Sequence, residues 1–209
     1  RWSLNPYRGC QHACAYCYAR ERHELLGFGA GTDFENKIVV KTNAPALLRE
    51  ALAKKGWLGE PIMFSGDTDC YQPVEASFEL TLRCLEACLE HGNPVGIITK
   101  SFLIVRDAAL LKELARTAGV EVTFSIPYAD DALGQKIEPG APKPSLRFRA
   151  MEKLAAAGIP VGVMMAPVIP GLNDHQIPDV LKAAAAAGAS QAGFQLLRLP
   201  GPVRQVFLE

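Results

Sequence analysis

The sequence predicts an α/β fold of repeated strand–helix units around a parallel sheet. Two observations carry this. Mostly apolar runs of strand length alternate with amphipathic stretches of a dozen or more residues, the rhythm of βαβ units. Runs such as VGIIT at 95–99 are apolar up to a closing threonine rather than alternating, as strands buried on both faces are. About six units can be counted, whereas eight would close a full barrel of roughly 250 residues. The 209 residues therefore fit a three-quarter barrel or an open doubly wound sheet. Both folds bind ligands at the C-terminal ends of their strands.

In order, residues 2–5 read as a short extended stretch leading into a cysteine-rich loop. Residues 18–26 suit a short helix, 27–32 a glycine-rich loop and 38–41 (IVVK) an extra strand. A helix is expected over 44–55, with Leu47, Leu48, Ala51 and Leu52 on one face. Residues 61–65 form the next strand, 66–73 a polar loop, and 74–91 one long helix striped by Phe78, Leu82, Leu85 and Leu89. Strand 95–99, helix 107–118 and strand 120–126 follow. A long polar connection then leads to helix 144–157. Strand 159–166, helix 174–188 (Ile177, Val180, Leu181, Ala184) and strand 191–197 complete the pattern.

The totals narrow the class. Apolar residues make up 49% of the chain, charged residues 21%, and the formal net charge is zero. That balance excludes a disordered chain and gives no global attraction to nucleic acid or membrane. No apolar run reaches the roughly 18 residues of a membrane span, and the first ten residues lack the apolar core of a signal peptide. Residues 1–209 read as one domain, cut from a longer protein. Six cysteines, three of them bunched, do not form the framework of a secreted disulfide protein; they point to a reducing, cytoplasmic setting and to metal.

The bunched cysteines are Cys10, Cys14 and Cys17, spaced C-x3-C-x2-C. Structural zinc wants four ligands, usually in two pairs, and no fourth is apparent. A cubane iron–sulfur cluster held by three thiolates keeps one iron open, the mark of a catalytic metal. The unusual polar residues also collect at the predicted strand ends: 65–70 (SGDTDC), 99–101 (TKS), 125, 166–174 and 197–198.

C-x3-C-x2-C with an aromatic before the last cysteine resembles the signature of the radical S-adenosylmethionine (SAM) superfamily. Further stretches, NPYRGCxHxCxYCYAR, TDCYQPVE, PVGIITKS and AGIPVGVMMAPVIPGLND, resemble the branch related to spore photoproduct lyase, the DNA repair photolyase-like proteins. The resemblance implies a partial (βα)6 TIM-like barrel and a 4Fe-4S cluster on Cys10, Cys14 and Cys17, with SAM chelating the fourth iron. One electron then breaks the C5′–S bond, and a 5′-deoxyadenosyl radical abstracts hydrogen from a substrate, a DNA lesion being the family-level guess. An external electron donor such as flavodoxin or ferredoxin is implied as partner. The competing class is a zinc- or cluster-stabilised binding module without radical chemistry.

By the same resemblance, Tyr16 packs near the adenine. Ser65, Gly66 and Asp67 stand where the family has Gly-Gly-Glu and receive the methionine ammonium. Thr99, Lys100, Ser101 and Ser125 end strands where the lyase branch contacts SAM. Arg147 matches a carboxylate-binding arginine, with Arg149 as substitute. The stretch from Pro167 to Asp174 resembles GxIxGxxE, so the backbone at Val168 and Ile169 lines the base, while Asp174 caps the following helix. Leu197 and Arg198 reach adenine or substrate. The catalytic residue is unknown. Cys70 lies near the position of the lyase's hydrogen-atom donor but a few residues too far along, so it reads as a loop cysteine, with the donor role as alternative. Cys84 and Cys88 read as small apolar residues on a packed helix, and the four histidines receive no role.

Overall fold

A computed structural model describes residues 2–208. In chain order the elements are β1 (Trp2–Leu4), β2 (Tyr7–Arg8), α1 (Ala19–Glu24), α2 (Asp33–Asn36), β3 (Val39–Val40), α3 (Ala44–Leu52), β4 (Ile62–Phe64), α4 (Glu75–Phe78) and α5 (Leu80–Glu90). They continue with β5 (Val95–Thr99), α6 (Ala108–Thr117), β6 (Val120–Ser125), α7 (Asp131–Ile137), α8 (Pro144–Ala156), β7 (Val161–Val168), α9 (Ile177–Ala186), β8 (Gln191–Leu196) and α10 (Val203–Leu208).

Among the described residues, six strands form one sheet in the order β1-β4-β5-β6-β7-β8, every neighbouring pair parallel. Leu4 pairs with Phe64, Phe64 with Ile97, Thr99 with Phe124, and Ser125 with Met164. This register brings the C-terminal ends of successive strands to one rim. Strands β1 and β8 are the two edges, so the barrel is partial. The core lies between sheet and helices: Phe64, Leu85, Ile97, Leu111, Val122, Phe124 and Leu154 are almost completely buried. Strand β8 is different, with Phe194 73% exposed.

Several expectations shift. The helix expected over 74–91 is two helices. Glu79 takes a left-handed conformation (φ +50°) between them, and the buried Glu75 carboxylate accepts from the N–H groups of Thr81 and Leu82 at 3.0 and 3.2 Å. A negative charge on those free N–H groups is where a helix dipole favours it. The break rotates the buried face onto Leu80, Cys84, Leu85 and Cys88 and leaves Phe78 exposed. Leu47 and Leu181 also point outward, and α3 and α9 bury Leu48, Leu52, Val180 and Ala184 instead. The connection after β6 contains α7, which Asp130 caps by accepting from the N–H groups of Ala132 and Leu133. The IVVK stretch does not join the main sheet; Val39–Val40 pairs antiparallel with Tyr7–Arg8.

Candidate cofactor site

The cysteine loop is held from three sides. From behind, Arg20, 2% exposed, donates from Nε to the Cys14 carbonyl (3.1 Å) and from its terminal nitrogens to the carbonyls of Ala30 and Gly31 and to Glu35. The loop after β4 knits to it reciprocally. Gln72 accepts from the Gln11 N–H and donates to the Gly9 carbonyl, while the Gln11 side chain accepts from the Val74 N–H. Asn5 accepts from the N–H groups of Asp67 and Thr68, and Thr68 Oγ1 donates to the Tyr7 carbonyl. On the third side, Ala15 N–H donates to the Ile137 carbonyl and Gly140 N–H to the His12 carbonyl, both at 3.1 Å. A methyl group at Gly140 would fall 2.0 Å from the Gln11 carbonyl oxygen, so glycine is what allows this approach.

These loops wall a cavity of about 600 Å³ at the strand ends, within the ~300–1,000 Å³ of cofactor-sized sites. Cys10, Cys14 and Cys17 line it, together with Tyr16, Ser65, Asp67, Thr99, Lys100, Ser125 and Leu197. Burial pushes the Cys14 thiol up to about 12 against the pull of Lys100, and it raises Cys10 and Cys17 as well. As free thiols they keep their protons; binding a metal would release them. Among the described residues, no three His, Cys, Asp or Glu side chains converge as the ligands of one ion do. The three thiols nevertheless line one cavity, and a cubane cluster would give each thiolate an iron of its own.

Lys100 comes from the end of β5. Its Nζ lies 5.8 Å from the centre of the Tyr16 ring and 3.9 Å from Glu138 Oε1. Burial pulls the ammonium down, but the Cys14 sulfur, once deprotonated, and the Glu138 carboxylate outweigh it and hold the group above its ordinary range. Ser65 takes φ +66°, the left-handed region that glycine adopts most readily, so its backbone follows the glycine of the resembled motif while its Oγ accepts from the Cys70 N–H. Asp67 already pairs with Arg22 at 3.0 Å.

Other expected residues stand apart. Arg147 does not reach the cavity. It is fully buried, donating to the carbonyls of Pro142 and Ser125 and pairing with Glu138 at 2.5 Å; its guanidinium is occupied by the protein. Arg149 lies on the same helix and is exposed, outside the cavity wall. The backbone at Val168 and Ile169 is also engaged: the Val168 carbonyl accepts from Leu197, and the Ile169 N–H donates to Asn173 Oδ1 at 2.6 Å. Asp174 closes the turn by accepting from Gly171 N–H rather than capping the helix. Ser101 caps the short helical segment after β5, and the Gly66 carbonyl accepts from the Tyr18 hydroxyl at 2.7 Å; neither lines the cavity.

Cys70 is completely buried and outside the cavity wall, which favours the loop reading. Cys70→Ala is expected to leave SAM affinity and SAM cleavage within about twofold of the parent, since a thiol that meets no ligand contributes mainly packing. Loss of turnover with an intact cluster would overturn this reading.

Sequence reasoning missed four groups. His12, 2% exposed, lines the cavity with Nδ1 3.3 Å from Asp69. Asp69 is the hub of the rim: it accepts from Thr99 Oγ1 and from the N–H groups of Lys100 and Tyr71. Burial would raise its carboxyl, but His12 and these donors hold it down at about 2. Tyr18, half exposed, and Glu138, fully buried, complete the set. The motif strings contained His12, Tyr18 and Asp69 without showing what each meets, whereas nothing in the sequence marked Glu138.

The chain is similar to known proteins over its whole length. A family model described as the radical SAM superfamily matches residues 4–184. An uncharacterized Mycobacterium tuberculosis protein is 39% identical over 210 residues, which take in all of this chain and 62% of the relative. A Methanocaldococcus jannaschii protein is 33% identical over 174 residues, 83% of this chain and 62% of the other. The chain thus spans about 62% of the length of these relatives. Among solved structures, a spore photoproduct lyase variant with bound AdoMet and dinucleoside spore photoproduct superposes with a TM-score of 0.67 at 19% identity, over 98% of this chain and 59% of that one. That likeness is one of fold and agrees with the partial barrel. On the family match, which takes in most of the chain, the chain belongs to the radical SAM superfamily.

Proposed function

We propose that this chain is the catalytic core of a radical SAM enzyme acting on a nucleotide-containing substrate, a DNA lesion being the leading candidate. One observation carries the reading: three thiols from one loop and polar groups from four later strand ends line a single cavity. Cys10, Cys14 and Cys17 would hold a 4Fe-4S cluster, with Lys100, Tyr16, Thr99, Ser65 and Ser125 around SAM. When bound, these cofactors supply a one-electron cleavage that yields a hydrogen-abstracting 5′-deoxyadenosyl radical.

The chain's own residues supply binding and shielding. Lys100 offers a charged donor to a carboxylate or ribose oxygen. Tyr16 presents its ring to the cavity while its hydroxyl donates to Glu138. Support for a nucleotide lies at the mouth, where the half-exposed Tyr18 ring has the Arg22 guanidinium 5.9 Å from its centre and Arg198 lines the wall. A flat aromatic beside cations suits base stacking. The fold likeness to a lyase holding a dinucleoside photoproduct points the same way. The electron would come from a small donor such as flavodoxin or ferredoxin. No helix among the described residues is long and apolar enough to cross a membrane.

The test is anaerobic reconstitution followed by SAM titration, then turnover with UV-damaged and undamaged DNA. About four irons and four sulfides per chain and SAM binding are expected, with a lesion-dependent product. One colourless zinc per chain would refute the cofactor reading. SAM cleavage indifferent to damaged DNA would refute the substrate. Lys100→Ala is expected to weaken SAM binding by about tenfold, worth ~1.4 kcal/mol, with iron content unchanged. Unaltered affinity would remove Lys100 from the site.

A further inference from the structure

We infer that Glu138 is the positioning residue of this cofactor site, a reading that rests on the cavity being the SAM site. Glu138 is completely buried, on the segment between α7 and α8, and does not line the cavity. Three side chains converge on its carboxylate. Tyr16 donates its hydroxyl to Oε1. Lys100 Nζ lies 3.9 Å from the same oxygen. Arg147 pairs with Oε2 at 2.5 Å. Two of these three, Tyr16 and Lys100, face the cavity. One carboxylate therefore fixes an aromatic from the cysteine loop relative to a cation from the end of β5.

The surrounding backbone makes the arrangement rigid. The residues on either side of Glu138 are tied to the cysteine loop, through Ile137 to Ala15 and through Gly140 to His12. Arg147 is anchored by the carbonyls of Ser125 and Pro142, so it holds the far side of Glu138 to the end of β6. Glu138 places a carboxylate oxygen 3.9 Å from Lys100 Nζ, a counter-ion for a side chain that lines the cavity. The carboxylate thus acts through Lys100 and Tyr16, much as outer partners of a metal site orient the groups that touch it.

The experiment compares Glu138→Gln, which keeps the shape and removes the charge, with the double variant Glu138→Gln/Arg147→Gln, which also removes the arginine left without a partner. Each reconstituted protein is assayed for iron and sulfide, SAM affinity, and the SAM-dependent change in the EPR spectrum of the reduced cluster. The expected result is a full cluster in the double variant with SAM affinity down by about tenfold or more and the EPR change displaced to correspondingly higher SAM. SAM affinity within about twofold of the parent in a cluster-loaded variant would overturn the inference. So would recovery of parental affinity in the double variant, which would make Glu138 a partner for Arg147 alone. If neither variant takes up a cluster, Tyr16→Phe decides, since it removes just the hydroxyl that Glu138 holds: weaker SAM binding with a full cluster supports the role, and unchanged binding overturns it. Failure of the parent to bind SAM would instead strike the cofactor reading itself.

Discussion

Cys14→Ala is expected to abolish cluster uptake, leaving iron and sulfide at background after anaerobic reconstitution. Cys10→Ala and Cys17→Ala should behave alike. In the proposed site three thiolates would hold a four-iron cluster and leave one iron without a protein ligand, so losing a second ligand would expose the cluster to loss. The folded chain should survive the change. Cys14 is 6% exposed, and in the metal-free protein burial holds its thiol in the neutral form. Alanine then removes one small, partly apolar group, and thermal unfolding of the metal-free variant should lie close to that of the metal-free parent. Loss of the cluster with retention of the fold is the signature of a ligand. A full cluster in any of the three variants would remove that cysteine from the ligand set.

The second large effect is on stability. Asp69→Ala is expected to cost about 3–5 kcal/mol, because it leaves buried donors from Thr99, Lys100 and Tyr71 without an acceptor and deprives His12 of its partner. Urea unfolding of the metal-free protein measures it. Asp69→Asn should recover part of the loss, since the amide oxygen still accepts while its NH2 opposes a donor. A change below about 1 kcal/mol would show that these contacts do not hold the rim together. The same residue predicts an acid limb. The folded carboxyl, at about 2, lies below its ordinary value of 3.8, so folding favours the ionised form. Its contribution is complete above about pH 4 and is lost as the pH falls through 2. Asp69→Asn should flatten that part of the stability profile.

Particular residues mark where the sequence is legible by itself and where it is not. Parallel strands are readable because stretches such as 95–99 and 161–168 are largely apolar, and the partial barrel then follows from counting them. The cysteine loop is readable because thiols at short spacing have few other uses. The break at Glu79 is not, since it depends on Glu75 folding back to accept from Thr81 and Leu82, a contact that periodicity does not encode. Arg147 is expected to reach SAM because arginine suits a carboxylate. It finds one inside the protein, on Glu138, from a segment that reads only as a polar connection. Asp69 lies in the TDCYQPVE stretch, yet its role as hub needs the end of β5 and the cysteine loop beside it. Site residues defined by their own chemistry are visible in the sequence; those defined by what they hold in place require the fold.

If the cavity beside Cys10, Cys14 and Cys17 performs reductive SAM cleavage, the most direct measurement is 5′-deoxyadenosine formed by the anaerobically reconstituted protein, with and without a strong reductant. The expected result is reductant-dependent 5′-deoxyadenosine, absent from Cys14→Ala and reduced in Lys100→Ala. A fully loaded, reducible cluster that binds SAM in neither state and yields no 5′-deoxyadenosine would contradict it.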